Sequence, residues 1–145
     1  MSSKASAFWD TSALNPLLVS EPTSPWARAM ATQFTPVVWW ATPVEIHSAI
    51  ARVHRSGRLD DLARKLALNR LAEMRRDWLD ILPSDSVRDQ AQALLGLYPL
   101  RAADSLQLAA ALAWCRNRPT GRTFLCADTR LAEAAAAAGF TVLRP

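Results

Sequence analysis

Four carboxylates stand where short apolar runs give way to helical patterns: Asp10, Glu45, Asp104 and Asp128. Each has a structural explanation when read alone. Asp10, after Ala7-Phe8-Trp9, and Asp128, after Phe124-Leu125-Cys126, both suit an N-cap. Glu45 falls three residues after Thr42, the spacing of a capping box. Asp104 lies in the first turn of a helix, where the dipole favours an anion. It also shares a helix face with Leu108, Ala111 and Cys115, which should pack on a sheet, and an acid there is costly without a partner. Together they point elsewhere. In a parallel α/β sheet the strand C-termini and the following helix N-termini line one edge, where ligands bind. Carboxylates crowded on that edge, at about 5 Å and an effective dielectric near 20, repel by roughly 3 kcal/mol per pair and require positive charge between them. Hard oxygen donors select Mg²⁺ or Mn²⁺ over zinc. Such an ion acidifies a bound water and neutralises phosphate oxygens, which is the chemistry of phosphodiester cleavage.

The elements that must position these acids follow from the hydrophobic pattern, which alternates short strands with longer helices and argues for a parallel sheet. Strands are expected over Ala7 to Asp10, Pro36 to Trp40, Asp80 to Leu82, Thr123 to Cys126 and Thr141 to Leu143. A short helical segment covers Ser12 to Leu18, interrupted by Asn15-Pro16. Ser24-Pro25 reads as an N-cap with proline at N1, starting a helix to about Thr32. Thr42-Pro43 starts the next, to about His54. Apolar residues at 59, 63, 67, 71, 74 and 78 predict one helix from Leu59 to Trp78. Further helices cover Ser86 to Tyr98, Ala102 to Arg116 and Thr129 to Ala138, the last closed by Gly139. Trp39 and Trp40 should face opposite sides of a strand, one in the core and the other under a helix.

The 145 residues fit one domain, 1–145, and half of them are hydrophobic, enough for a substantial core. Only Met1 to Ser6, small and polar, reads as disordered. The net charge of +4 comes almost entirely from arginine, since Lys4 and Lys65 are the only lysines; arginine suits phosphate but also follows genome composition. Cys115 and Cys126 have no C-x-x-C spacing and read as buried small residues rather than a zinc site or a disulfide framework. No signal peptide and no membrane-length apolar run occur, so a cytosolic protein is expected. His47 and His54 share a helix face but have no carboxylate at matching spacing. The arginines of the 59–78 helix read as a solvated face, and Arg52, Arg55 and Arg58 sit toward the far end of the Glu45 helix, away from a phosphate at the acids.

The motifs around the acids resemble those of PIN-domain nucleases, and among them the VapC toxins of toxin–antitoxin pairs. Phe8 to Leu14 resembles the opening strand and turn, Thr42 to Ile50 the second acidic motif, Leu100 to Ala109 the third, and Cys126 to Leu131 with Ala134, Ala135 and Gly139 the fourth. The order is right and nearly the whole chain is spanned. The resemblance implies a three-layer α/β/α sandwich around a five-stranded parallel sheet. It implies a Mg²⁺- or Mn²⁺-dependent ribonuclease, a homodimer, and inhibition by a cognate antitoxin. Asp10, Glu45, Asp104 and Asp128 would be its metal-binding acids, with Thr11, Ser12 and Thr129 bonding the acids or the metal waters. One departure is that many relatives carry a lysine near position 16, where this chain has Asn15-Pro16.

Other readings fare worse. A haloacid-dehalogenase-type phosphatase wants an acid two residues after Asp10, where Ser12 stands. A receiver domain wants a lysine after a late strand, and none follows Lys65. A non-catalytic PIN-like module for dimerisation or RNA binding would be favoured by loss of one acid, and all four are present.

Overall fold

The computed structural model describes residues 4–145. Its elements, in chain order, are β1 (Ala5–Trp9), α1 (Thr11–Leu14), α2 (Ser24–Gln33), β2 (Phe34–Trp39), α3 (Thr42–Arg55), α4 (Asp61–Met74), β3 (Leu79–Ile81), α5 (Asp85–Leu95), α6 (Ala102–Trp114), β4 (Thr123–Leu125), α7 (Thr129–Ala138) and β5 (Thr141–Leu143). The strands form one parallel sheet in the order β3-β2-β1-β4-β5. The order reverses at β1: the chain moves outward to β2 and β3, then returns on the other side with β4. The C-terminal ends of β1 and β4 therefore flank the crevice in which such sheets bind ligands.

Period-two alternation sends the strand side chains to opposite faces. Phe8, Val37, Trp39 and Phe124 join Val87, Ala91 and Leu94 of α5, Leu108 to Leu112 of α6 and Leu131 of α7. Ala7, Trp9, Val38 and Leu125 join Leu14 of α1, Ile46 and Ile50 of α3, and Ala67 and Leu71 of α4. With helices on both faces this is the three-layer α/β/α sandwich, and burial on both sides is why its strands read as apolar runs. Phe8 stacks on Phe124 at 5.2 Å between centroids, pinning β1 to β4 beneath the crevice.

Several boundaries differ from the pattern. The 59–78 stretch is not one helix: the Asp60 side chain caps Ala63 N, α4 ends at Met74, and a 3-10 turn covers Arg75–Asp77. Ser24 is not a cap. It lies inside α2, where its buried hydroxyl donates to the Pro16 carbonyl at 2.7 Å and accepts from Glu21 N at 2.9 Å, so it ties down the preceding loop. Trp39 is core, but Trp40 is 53% exposed rather than covered by a helix. Ala5 and Ser6, expected to be disordered, pair with Phe34 and Thr35, while the expectation for Met1 to Ser3 lies outside the described residues.

Gly139 ends α7 at φ 115, and a Cβ there would meet Pro119 Cγ at 2.9 Å. Gly139→Ala therefore combines a strained backbone with a clash. We expect a loss of roughly 1–3 kcal/mol in urea denaturation, and an unchanged midpoint would contradict this.

Candidate active site

The end of β1 delivers Asp10 to the crevice, where it is 3% exposed. Its backbone N–H donates to the Leu125 carbonyl at 3.1 Å, continuing the ladder with β4. Its side chain caps α1: Oδ1 accepts from the backbone N–H groups of Ser12 and Ala13 and from Ser12 Oγ at 2.6 Å. Among the described residues Oδ2 accepts only from the Cys126 thiol, at 3.3 Å. The cap and the site are thus compatible, because they use different oxygens. Ser12 Oγ also accepts from Ala127 N at 2.9 Å, which locks the turn after β1 to the turn after β4. Asp128 repeats the arrangement at the start of α7, where Oδ1 accepts from Leu131 N at 2.8 Å.

Glu45 overturns the capping-box reading. Ala41 precedes α3 without a side-chain cap, and Thr42 is buried within the first turn. The Glu45 carboxylate turns inward and accepts from Gln107 Nε2 at 2.8 Å. The same amide nitrogen lies 3.1 Å from Thr11 Oγ1 and 3.2 Å from Thr42 Oγ1, so one buried side chain of α6 joins α1 and α3. Asp104, one turn earlier on α6, is half-buried.

The electrostatics show which acids come together. Burial raises the Glu45 pKa first, and the charges of Asp10 and Asp104 raise it further, against hydrogen bonds from Gln107 and Thr11. Burial also raises Asp104, followed by the charge of Asp128, with Arg101 opposing. Charge thus couples the four acids in a line, Asp10 with Glu45, Glu45 with Asp104 and Asp104 with Asp128. Desolvation pushes Asp10 up from 3.8 to about 6 despite its hydrogen bonds. Burial and the Asp10 charge likewise push the Cys126 thiol up, which keeps it a neutral donor.

Ser12 Oγ bonds Asp10, and Thr11 Oγ1 accepts from Gln107 at 3.1 Å beside Glu45. The Thr129 hydroxyl accepts from Arg144 Nη2 at 3.0 Å and lines the same cavity as Asp104 and Asp128. His54 does have a carboxylate partner, Asp61 Oδ1 at 2.7 Å on the neighbouring helix, but this pair is remote from the acid line. Arg52, set aside on sequence grounds, lines the cavity of Glu45. Sequence reasoning passed over Gln107, Arg101 and Arg130. Gln107 had one signal, a polar residue within the otherwise apolar run Leu106 to Leu112.

The donor set fits a hard divalent cation. Three of the acids are desolvated, and two of them are raised further by neighbouring acid charges. Among the described residues two buried acceptors beside the line, Asn15 Oδ1 and Gln107 Oε1, have no hydrogen-bond partner. Among the described residues no three His, Cys, Asp or Glu side chains already form a closed ligand cluster.

Comparison with family models and with curated proteins gives no match. Comparison with solved structures places the chain in a fold class: the parallel five-stranded sheet and its helix layers are PIN-like. The fold is shared with a toxin–antitoxin complex from Klebsiella pneumoniae, at 19% identity over 86% of this chain and 88% of that one, with a TM-score of 0.59. It is also shared with FitAcB from Neisseria gonorrhoeae, at 16% identity over 93% of this chain and 96% of that one, with a TM-score of 0.65.

The raised Asp10 pKa has a definite sign. Between about pH 4 and 6 the folded protein binds more protons than the unfolded chain, so the stability from neutral Asp10 is present below 3.8 and lost as pH rises through about 6. In EDTA, Asp10→Asn, which keeps the cap, should become more stable than wild type as pH goes from 4 to 7, by up to roughly 3 kcal/mol. Parallel pH profiles of the two melting temperatures would refute the buried-charge assignment.

Proposed function

We propose that the chain is the toxin of a toxin–antitoxin pair and acts as an endoribonuclease with Mg²⁺ or Mn²⁺. The observation that carries this reading is the line of four carboxylates on the C-terminal edge of the sheet, three of them with raised pKa values. The shared fold with a toxin–antitoxin complex supports it.

Asp10, Glu45, Asp104 and Asp128 would hold the cation, whose role when bound is to acidify a water and offset charge on the phosphate oxygens. The chain's own groups prepare that site. Ser12 and the α1 amides fix Oδ1 of Asp10, and the Cys126 thiol lies 3.3 Å from both Oδ2 and the Asp128 carbonyl. Gln107 aims Glu45 inward while bracing Thr11 and Thr42. In the hydrolysis, water oxygen bonds to phosphorus and gives up a proton, the opposite P–O bond breaks, and the leaving oxygen gains a proton. The proposal includes a homodimer and a cytosolic antitoxin partner. Large apolar side chains at Trp40, Val44, Leu62, Leu66, Leu95 and Leu97 are exposed and give a second chain surface to cover. An arginine from the antitoxin would neutralise the acid line. Among the described residues no helix is long and apolar enough to cross a membrane.

Purified protein should cleave RNA with Mg²⁺ or Mn²⁺ and stop in excess EDTA; cleavage that persists in EDTA would eliminate the metal mechanism. Asp10→Asn and Asp104→Asn should each lower the rate by about a hundredfold or more, the scale of lost charge stabilisation. Full activity in both variants would sink the assignment. Gln107→Leu should cost about ten- to a hundredfold, as loss of an outer partner of a metal-binding acid does. A Gln107→Leu rate equal to wild type would show that Glu45 needs no such support.

A further inference from the structure

Three of the four acids line two open cavities, while Asp10 is buried behind them. Glu45 lines one of about 320 Å³ together with Ser48 and Arg52. Asp104 and Asp128 line another of about 450 Å³ together with Arg101 and Arg130. Glu45 bonds Gln107, three positions along α6 from Asp104, so this turn of α6 links the two cavities and the acid line is the sill between them. Each cavity thus pairs its share of the acids with arginine.

These arginines are not used up by the acids. Among the described residues the ion pairs are His54–Asp61 and Arg88–Asp85, so Arg52, Arg101 and Arg130 have no carboxylate within 4.0 Å. All three are exposed. The charge of Arg101 nevertheless reaches Asp104 and lowers its pKa. Guanidinium groups held beside acids, yet unpaired, are free to take phosphate bidentately.

We infer that a single-stranded polynucleotide crosses the acid line from one cavity to the other, with its backbone held by Arg52 on one flank and by Arg101 and Arg130 on the other. This rests on the nuclease reading. An isolated phosphate would satisfy one flank only, whereas a chain with a charge at every nucleotide satisfies both while presenting one phosphodiester to the acids. The strand is single because Asp10 is buried in the crevice and only a strand that bends into it brings phosphorus near.

The test uses the full chain with fluorescent single-stranded RNA oligonucleotides in Mg²⁺ or Mn²⁺ at several salt concentrations. It compares Arg52→Ala, the double variant Arg101→Ala with Arg130→Ala, and Arg88→Ala as a control for removal of a positive charge, all with matching melting curves. Each flank variant should raise KM on a twelve-nucleotide strand by about tenfold or more and lower kcat less. Arg88→Ala should match wild type. The slope of log KM against log salt should become shallower by about 0.7 for each phosphate that arginine no longer holds. The penalty should shrink with strand length and be smallest on a dinucleotide. Lysine replacements should restore the salt slope but only part of the KM, since lysine lacks the bidentate fork. Cleavage by wild type with flank variants identical to Arg88→Ala would overturn the track and leave the nuclease reading standing, as would weakened binding of a protein antitoxin alone. If wild type cleaves nothing, anisotropy with the same strands decides: weaker binding in both flank variants supports the track while the nuclease reading falls, and equal binding overturns both.

Discussion

Burial of carboxylates at the open edge of a parallel sheet is the constraint on which the rest of this structure depends. Parallel strands with helices on both faces leave only the strand ends accessible, and the reversal of strand order at β1 opens a crevice there. Asp10 is carried into it by the strand itself. Desolvation there works against its charge, and the surrounding hydrogen bonds only partly restore it. A buried acid whose pKa is raised in this way, at the sheet edge where such folds bind ligands, marks a candidate functional site.

The supports around that site follow from the same constraint. Each buried carboxylate needs donors, and the chain provides them from elements far apart in sequence. Ser12 bridges Asp10 and Ala127, Cys126 reaches Asp10 across 116 positions, and Gln107 reaches Glu45 across 62. These hydrogen bonds stitch β1, β4, α1, α3 and α6 together at their functional ends. The same bonds that make ionised acids tolerable also fix their orientation. The basic character of the chain has its place in this scheme, because arginines at the rims of the two cavities oppose the acidic sill without neutralising it.

Two of the acids cap helices with one oxygen and leave the other toward the crevice, while a third caps nothing. An aspartate at an N-cap spends one oxygen on a backbone N–H, so Asp10 and Asp128 serve both ends. Glu45 could serve only one, since a capping box would draw its single carboxylate back to its own helix start. The Gln107 amide and the fold's burial of Thr42 decide for the site.

By itself the sequence determined the alternation of strands and helices, the two-sided burial of the strands, and the location of all four acids at strand ends or first helical turns. Those features rest on local hydrogen bonding and on hydrophobic periodicity, which neighbouring residues express without help. Tertiary structure decided the rest. It turned Glu45 inward, made Cys126 a donor rather than inert filling, set Thr129 on Arg144, broke the 59–78 stretch at Asp60, and brought Arg52 beside Glu45. Each of these depends on which surfaces meet when helices pack on a twisted sheet, and such meetings between distant segments leave no periodicity in the chain. Asp104 marks the boundary between the two. Its place on an apolar helix face was visible from spacing alone, while the neighbours that explain it, Glu45, Asp128 and Arg101, were assembled by the fold.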